Sequence, residues 1–241
     1  MPFEKEYQMN EKHLNYLIHL GDNTKDYIGN NSLNWGVSVL GENTDLDPYL
    51  NKRFDRYELF EYCKNPNINN LNALVAILSW GGMRHHHGKQ LFNSNSKEIV
   101  LRIVGDLRNN TFKTRKRAFE VFQKERNEGN LSGIGIGYFT KLICFLSPDL
   151  NGYIMDQWVG KSINLLSGMN IVKLTSNKWV NDQNNSDTYE MFCSHIDHLA
   201  ERLGCSGFEA EKRIFSLGRG KGKWRTYLIN NYNPKKLKQF R

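Results

Sequence analysis

Residues 131–159 read LSGIGIGYFTKLICFLSPDLNGYIMDQWV. Gly133, Gly135 and Gly137 stand at alternate positions before an apolar run that Pro148 ends, and one aspartate, Asp156, opens a second apolar run. Each part could do chemistry. Glycine tolerates positive φ and lets another backbone come close. A row of backbone N–H groups leading into a helix N-terminus forms a phosphate site that needs no side chain. Glycines at such spacing also make plain tight turns. Asp156 is a favoured type of N-cap, worth about 1 kcal/mol in that role alone. A fixed carboxylate at the same place can also stabilise developing positive charge or accept a proton. Capping and catalysis are compatible at a helix start.

The elements that must position these groups are helical. Leu71, Leu74, Val75 and Leu78 repeat at helical spacing, and Gly81-Gly82 stops the run. Ile99, Val100, Ile103, Val104 and Leu107 repeat the pattern, with Asn95 and Glu98 spaced as a cap. Further helices are predicted around Ala118–Phe122, Phe139–Leu146, Val159–Leu166 and Phe192–Leu203, the last with Asp187 and Glu190 in cap positions. Ser206 and Glu209 open another that closes near Gly218. Residues 33–45 read as extended, and no set of alternating strands accompanies them. The polar stretches 21–70 and 175–187 read as long connections, and the abundance of Asn reads as compositional. The reading is an all-α protein.

The 241 residues suffice for one large domain or two small lobes. The formal net charge of +8 is unevenly spread: residues 212–241 hold ten Lys or Arg and no Asp or Glu. A basic end on a near-neutral body fits a polyanion such as nucleic acid, although a solvated tail has the same composition. The start, MPFEKEYQMNEKH, is polar and unlike a signal peptide, and no segment has the length of a membrane span. Cys63, Cys144, Cys193 and Cys205 lack ligand spacing, which predicts reduced cytoplasmic thiols and no metal site.

LSGIG matches the L-x-G-[VI]-G hairpin of helix-hairpin-helix DNA-binding proteins, and Asp156-Gln157-Trp158-Val159 matches the D-x-x-V that follows it in the base-excision DNA glycosylases of that superfamily. GIGIGYFTK, IMDQWV, ILSWGGMR (77–84) and YEMFCSHIDHLAERLG (189–204) further resemble a bacterial group with an 8-oxoguanine-glycosylase-like fold. The resemblance spans roughly residues 70–220 and implies two helical lobes with a cleft between them. It divides the chain into an N-terminal segment (1–65), a glycosylase core (66–225) and a basic tail (226–241). It implies that the protein flips a damaged or modified base out of double-stranded DNA and excises it. The base would be oxidised guanine or a modified base of foreign DNA. Asp156 would then face the flipped nucleotide. Helix-hairpin-helix units also serve as non-catalytic DNA grips, which is the rival reading.

The resemblance breaks at one place. Bifunctional members carry a Schiff-base lysine two residues after the second hairpin glycine, and that position here is Gly137. Lys141 lies one helical turn on, pointing away from the apolar stripe, as a displaced nucleophile, a phosphate ligand or a solvated side chain. A monofunctional glycosylase using water is therefore the expectation. Trp80, Met83, His85 and Gln157 are the candidate base-pocket residues, with core packing the plain alternative for Trp80. His85–His87 follow the glycine stop as an exposed helix end. Gly133, Gly135, Gly137, Tyr138, Lys221, Lys223 and Arg225 are the candidate DNA contacts. In RGKGKWR (219–225), Trp224 reads as an aromatic available for stacking. KTRKR (113–117) is a second basic cluster. No cofactor is required, although the resemblance allows a monovalent cation at the hairpin. The expected protein is a cytoplasmic monomer.

Overall fold

The computed structural model describes residues 7–21, 26–176, 178–216 and 222–239. Among them are twelve α-helices and one parallel pair of two-residue strands, Met169–Asn170 and Lys238–Gln239. The all-α reading holds. The chain forms two compact units: a central one, Asp26–Gly152, and a terminal one made of Met1–Lys25 and Tyr153–Arg241.

The central unit holds α2 (Ser32–Leu40), α3 (Arg56–Lys64), α4 (Asn70–Trp80), α5 (His85–Leu91), α6 (Ser94–Arg108), α7 (Arg115–Asn127) and α8 (Ile136–Leu146). In α4 every residue from Asn72 to Trp80 is buried, which is why the helix carries almost no polar face. α8 runs beside it, also buried from Phe139 to Leu146. Phe122 and Phe139 stack with ring centres 5.0 Å apart, and Phe145 meets Trp80 edge-on at 5.1 Å. The 33–45 stretch is not extended. Residues 33–40 of it belong to α2, because Trp35, Gly36 and Val39 share one buried face and Asn31 caps its start. His85–His87 form the first turn of α5, with His85 and His86 exposed.

The terminal unit holds α1 (Glu11–Leu20), α9 (Gln157–Ser167), α10 (Ser186–Leu203), α11 (Gly207–Phe215) and α12 (Lys223–Asn231). α9 is its centre, buried at every position from Val159 to Leu166. Two polar residues inside α9, Ser162 and Asn164, are satisfied locally. Asn164 exchanges hydrogen bonds with the backbone N–H and carbonyl of Val172, at 2.8 and 2.9 Å. The Ser162 hydroxyl accepts from Trp224 Nε1 at 2.9 Å and lies 2.8 Å from the Trp158 carbonyl. The expected basic tail, 226–241, thus begins inside the helix α12, which turns Trp224, Arg225 and Leu228 inward.

Asparagine does most of the capping. Asn10, Asn31, Asn69, Asn93 and Asn185 cap α1, α2, α4, α6 and α10 through their side-chain oxygens. Two expected caps are displaced by this. α6 is capped by Asn93 instead of Asn95, and α10 by Asn185 instead of Asp187, because each helix begins two residues earlier than the cap spacing predicts. Ser206 caps α11 through the Glu209 N–H at 3.2 Å, as its spacing predicts. That helix ends at Phe215, and Gly218 lies outside the described residues. Among the described residues no helix is long and apolar enough to cross a membrane.

Candidate active site and nucleic-acid interface

The hairpin belongs to the central unit. Gly133 has φ +74°, and a Cβ there would run into the His87 carbonyl oxygen and crowd Gln90 and Leu91 of α5. Ser132 N–H donates to Ser96 Oγ at 3.1 Å, and that hydroxyl donates to the Asn130 carbonyl at 2.9 Å, which fixes the approach to the turn. Ile134 and Ile136 are buried while Gly133, Gly135 and Gly137 are partly exposed. The alternation therefore anchors one side of the turn and opens the other. Gly135 is the N-cap of α8 and supplies no side-chain bond, and a Cβ there would meet nothing within 4 Å. The amides at the start of α8 thus lie beside open space, with the helix dipole behind them.

Lys141 is not on a solvated face. It is buried, and its Nζ donates to the Gly137 carbonyl at 2.5 Å. Helical side chains lean toward the N-terminus, so the amine sits a turn back, at the level of residue 137. Its stem passes Gly81, where a Cβ would come within 2.9 Å of Lys141 Cδ. Tyr138 is half-buried, with its hydroxyl 3.4 Å from the Gly82 carbonyl, and burial raises its phenol pKa. Trp80 and Met83 are both 2% exposed. Trp80 packs against Phe145 and, at 5.4 Å, Tyr27, so the plain packing alternative describes it, although its buried Nε1 finds no acceptor. The Met83 carbonyl accepts from Trp35 Nε1 at 2.7 Å. His85 is exposed at the start of α5.

Asp156 belongs to the terminal unit, and its position is tightly fixed. Tyr153, Ile154 and Met155 before it are buried. The Tyr153 hydroxyl donates to Asp197 at 2.6 Å, and its carbonyl accepts from the Tyr189 hydroxyl at 3.0 Å. Asp156 caps α9: its Oδ1 accepts from Trp158 N–H at 2.7 Å and Val159 N–H at 2.9 Å. Both capping bonds fall on one oxygen of a half-exposed carboxylate.

Two cations that sequence reading left aside or placed elsewhere crowd the same helix start. Lys161 Nζ lies 4.2 Å from the centre of the Trp158 indole, and the Arg225 guanidinium lies 3.8 Å from it. Arg225 is fully buried and donates through Nη2 to the Phe215 carbonyl at the end of α11. It is therefore not an exposed DNA contact; the apolar face of α12 carries it inward. Trp224, 2% exposed, is likewise not available for stacking. Burial, then Asp156's opposing charge, governs Arg225, whose pKa falls to about 10. Lys161 falls to about 8 through burial and the charges of Lys178 and Arg225, with Asp156 acting against them. Lys161 was missed because a lysine in VGKSINLL reads as the polar face of a helix, whereas α9 has no such face over these residues. Lys223 is exposed and lines a cavity of about 480 Å³ with Tyr16 and Tyr227. Gln157 is half-exposed beside Asp156, and Lys221 lies outside the described residues. Among the described residues no three His, Cys, Asp or Glu side chains gather as a metal ion requires.

The family described as "putative 8-oxoguanine DNA glycosylase OGG-like protein" matches residues 31–215. The chain belongs to this family, a glycosylase family acting on DNA. Searches of curated proteins and of solved structures return no significant match.

Proposed function

We propose that this protein is a monofunctional DNA glycosylase that excises a damaged or modified base with Asp156 as its catalytic carboxylate. The observation that carries the reading is the division of labour on Asp156. Oδ1 alone accepts both capping bonds, so capping α9 does not occupy the second oxygen. The α8 amides beside open space at Gly135 suit a backbone phosphate, and the partly exposed glycine edge lets the strand come close. The target nucleotide must leave the stack before its glycosidic bond is reached.

In the proposed step the C1′–N bond breaks and its electron pair leaves with the base. Positive charge develops on the sugar, where the Asp156 carboxylate stabilises it. Water adds to C1′, Asp156 takes its proton, and that proton passes to the departed base, which restores the carboxylate. The products are the free base and an abasic sugar. Water is the nucleophile because residue 137 is glycine and the Lys141 amine is held by the Gly137 carbonyl. Oxidised guanine is one candidate base; a modified base of foreign DNA is the other.

The test is cleavage of duplexes carrying oxidised guanine, uracil, alkylated purines or hypermodified cytosines, with and without alkali, for wild type and Asp156→Asn. Asn caps about as well as Asp. Strand breaks that need alkali, reduced at least about 100-fold in Asp156→Asn while folding is retained, are expected. Binding of every duplex with cleavage of none would favour the non-catalytic DNA module.

A further inference from the structure

We propose that Lys161 and Lys178, reinforced by the buried charge of Arg225, bind a DNA backbone phosphate at Trp158, beside Asp156. The inference rests on the DNA-glycosylase reading for the identity of the anion and on the side chains for the site itself.

The geometry leaves positive charge without an anion. Lys161 is 4% exposed with its ammonium at the Trp158 indole, and among the described residues no hydrogen bond to that ammonium is found. Arg225 is 0% exposed, and among the described residues its Nε and Nη1 have no acceptor. Burying a charge is costly unless it is paired and hydrogen-bonded. Among the described residues Asp156 is the one carboxylate acting on both cations, and its Oδ1 is already engaged by two amides. Two buried cations thus meet at one indole, with a single carboxylate acting on both.

A site with this imbalance is built for a further anion. Trp158 is half-exposed, so a ligand reaches the cluster at the indole; Lys178 is exposed and near enough for its charge to act on Lys161. The amides of the first turn of α9 add partial positive charge. A phosphodiester is a monoanion with two acceptor oxygens, which suits two ammonium donors. The apolar indole also suits the sugar that adjoins the phosphate. Arg225 need not touch the ligand: its buried charge strengthens the local field while its Nη2 ties α12 to the end of α11.

The experiment measures binding to a duplex carrying a tetrahydrofuran abasic analogue, across a salt series, for wild type, Lys161→Met and Lys178→Gln. This probe has no base to excise, so the outcome is independent of substrate identity and of Asp156 chemistry. A parallel arm measures the melting temperature with inorganic phosphate. We expect Lys161→Met to weaken duplex binding about tenfold and to reduce the salt slope by about one. Its melting temperature should be unchanged or raised, since an unpaired buried charge is removed. Lys178→Gln, on an exposed loop, should reduce the slope without affecting folding. Unchanged affinity and slope in both variants would overturn the proposal. Should wild type bind no duplex, phosphate stabilisation that Lys161→Met abolishes would uphold the anion site and overturn its assignment to DNA. Absence of both effects would overturn the site as well.

Discussion

Gly133 lies so close to the carbonyl oxygen of His87 that a Cβ on the glycine would overlap that oxygen. The hairpin is thereby seated on the first turns of α5, and its positive φ makes the requirement double. The glycine motif is thus a packing necessity at its first position and an open surface at its second, Gly135.

Gly133→Ala should therefore be costly in stability. A non-glycine residue at φ +74° loses at least about 1 kcal/mol from conformation alone, and the overlap adds to it. Gly135→Ala meets nothing within 4 Å, so it should lose only the N-cap preference of glycine over alanine, up to about 1 kcal/mol, while weakening DNA binding. Chemical denaturation of both variants, with duplex titrations alongside, separates the two roles.

Lys161 sets a pH dependence with a definite sign. Its folded pKa of about 8 is below the ordinary value of 10.5, so between these values the unfolded chain binds the additional proton. Stability then rises with pH across that window, and the full penalty applies below pH 8. Lys161→Met should be more stable than wild type at pH 7, by up to roughly 3 kcal/mol, and the difference should shrink toward pH 10. Paired urea titrations at several pH values check this.

The Ser162 hydroxyl is the acceptor of the buried Trp224 Nε1–H. Ser162→Ala should cost about 1–3 kcal/mol, because the donor is left without a partner. Combined with Trp224→Phe the two losses should be less than additive. A double-mutant cycle measured by denaturation reads the coupling directly.

Borohydride should trap no covalent adduct between wild type and a natural abasic duplex. The Lys141 amine is buried and bonded to the Gly137 carbonyl. A trapped adduct that disappears in Lys141→Gln would instead make that residue a displaced nucleophile and the enzyme a lyase.

Some of this was legible in the chain itself. Apolar spacing located α4, α6, α8, α9 and α10, and the glycine hairpin with Asp156 matched the family found over residues 31–215. α2 escaped because it is short and its buried residues, Trp35, Gly36 and Val39, are too few for a clear stripe. α12 escaped because lysine and arginine reads as solvated surface, whereas Arg225 is drawn under an indole by contacts far away in sequence. Lys161 escaped for the same reason. A charged residue reveals burial only when its neighbours in space are known, and periodicity carries no such information.

The asparagine caps bear on how the molecule meets its polyanion. Aspartate would start α1, α2, α4, α6 and α10 about as well. Each such exchange at Asn10, Asn31, Asn69, Asn93 and Asn185 would subtract one charge, taking the formal net charge from +8 to +3. Neutral caps also leave the positive end of each helix unquenched. The asparagine bias therefore lets the chain begin five helices without adding repulsion toward nucleic acid, so its long-range attraction is set in part by residues that need never touch DNA.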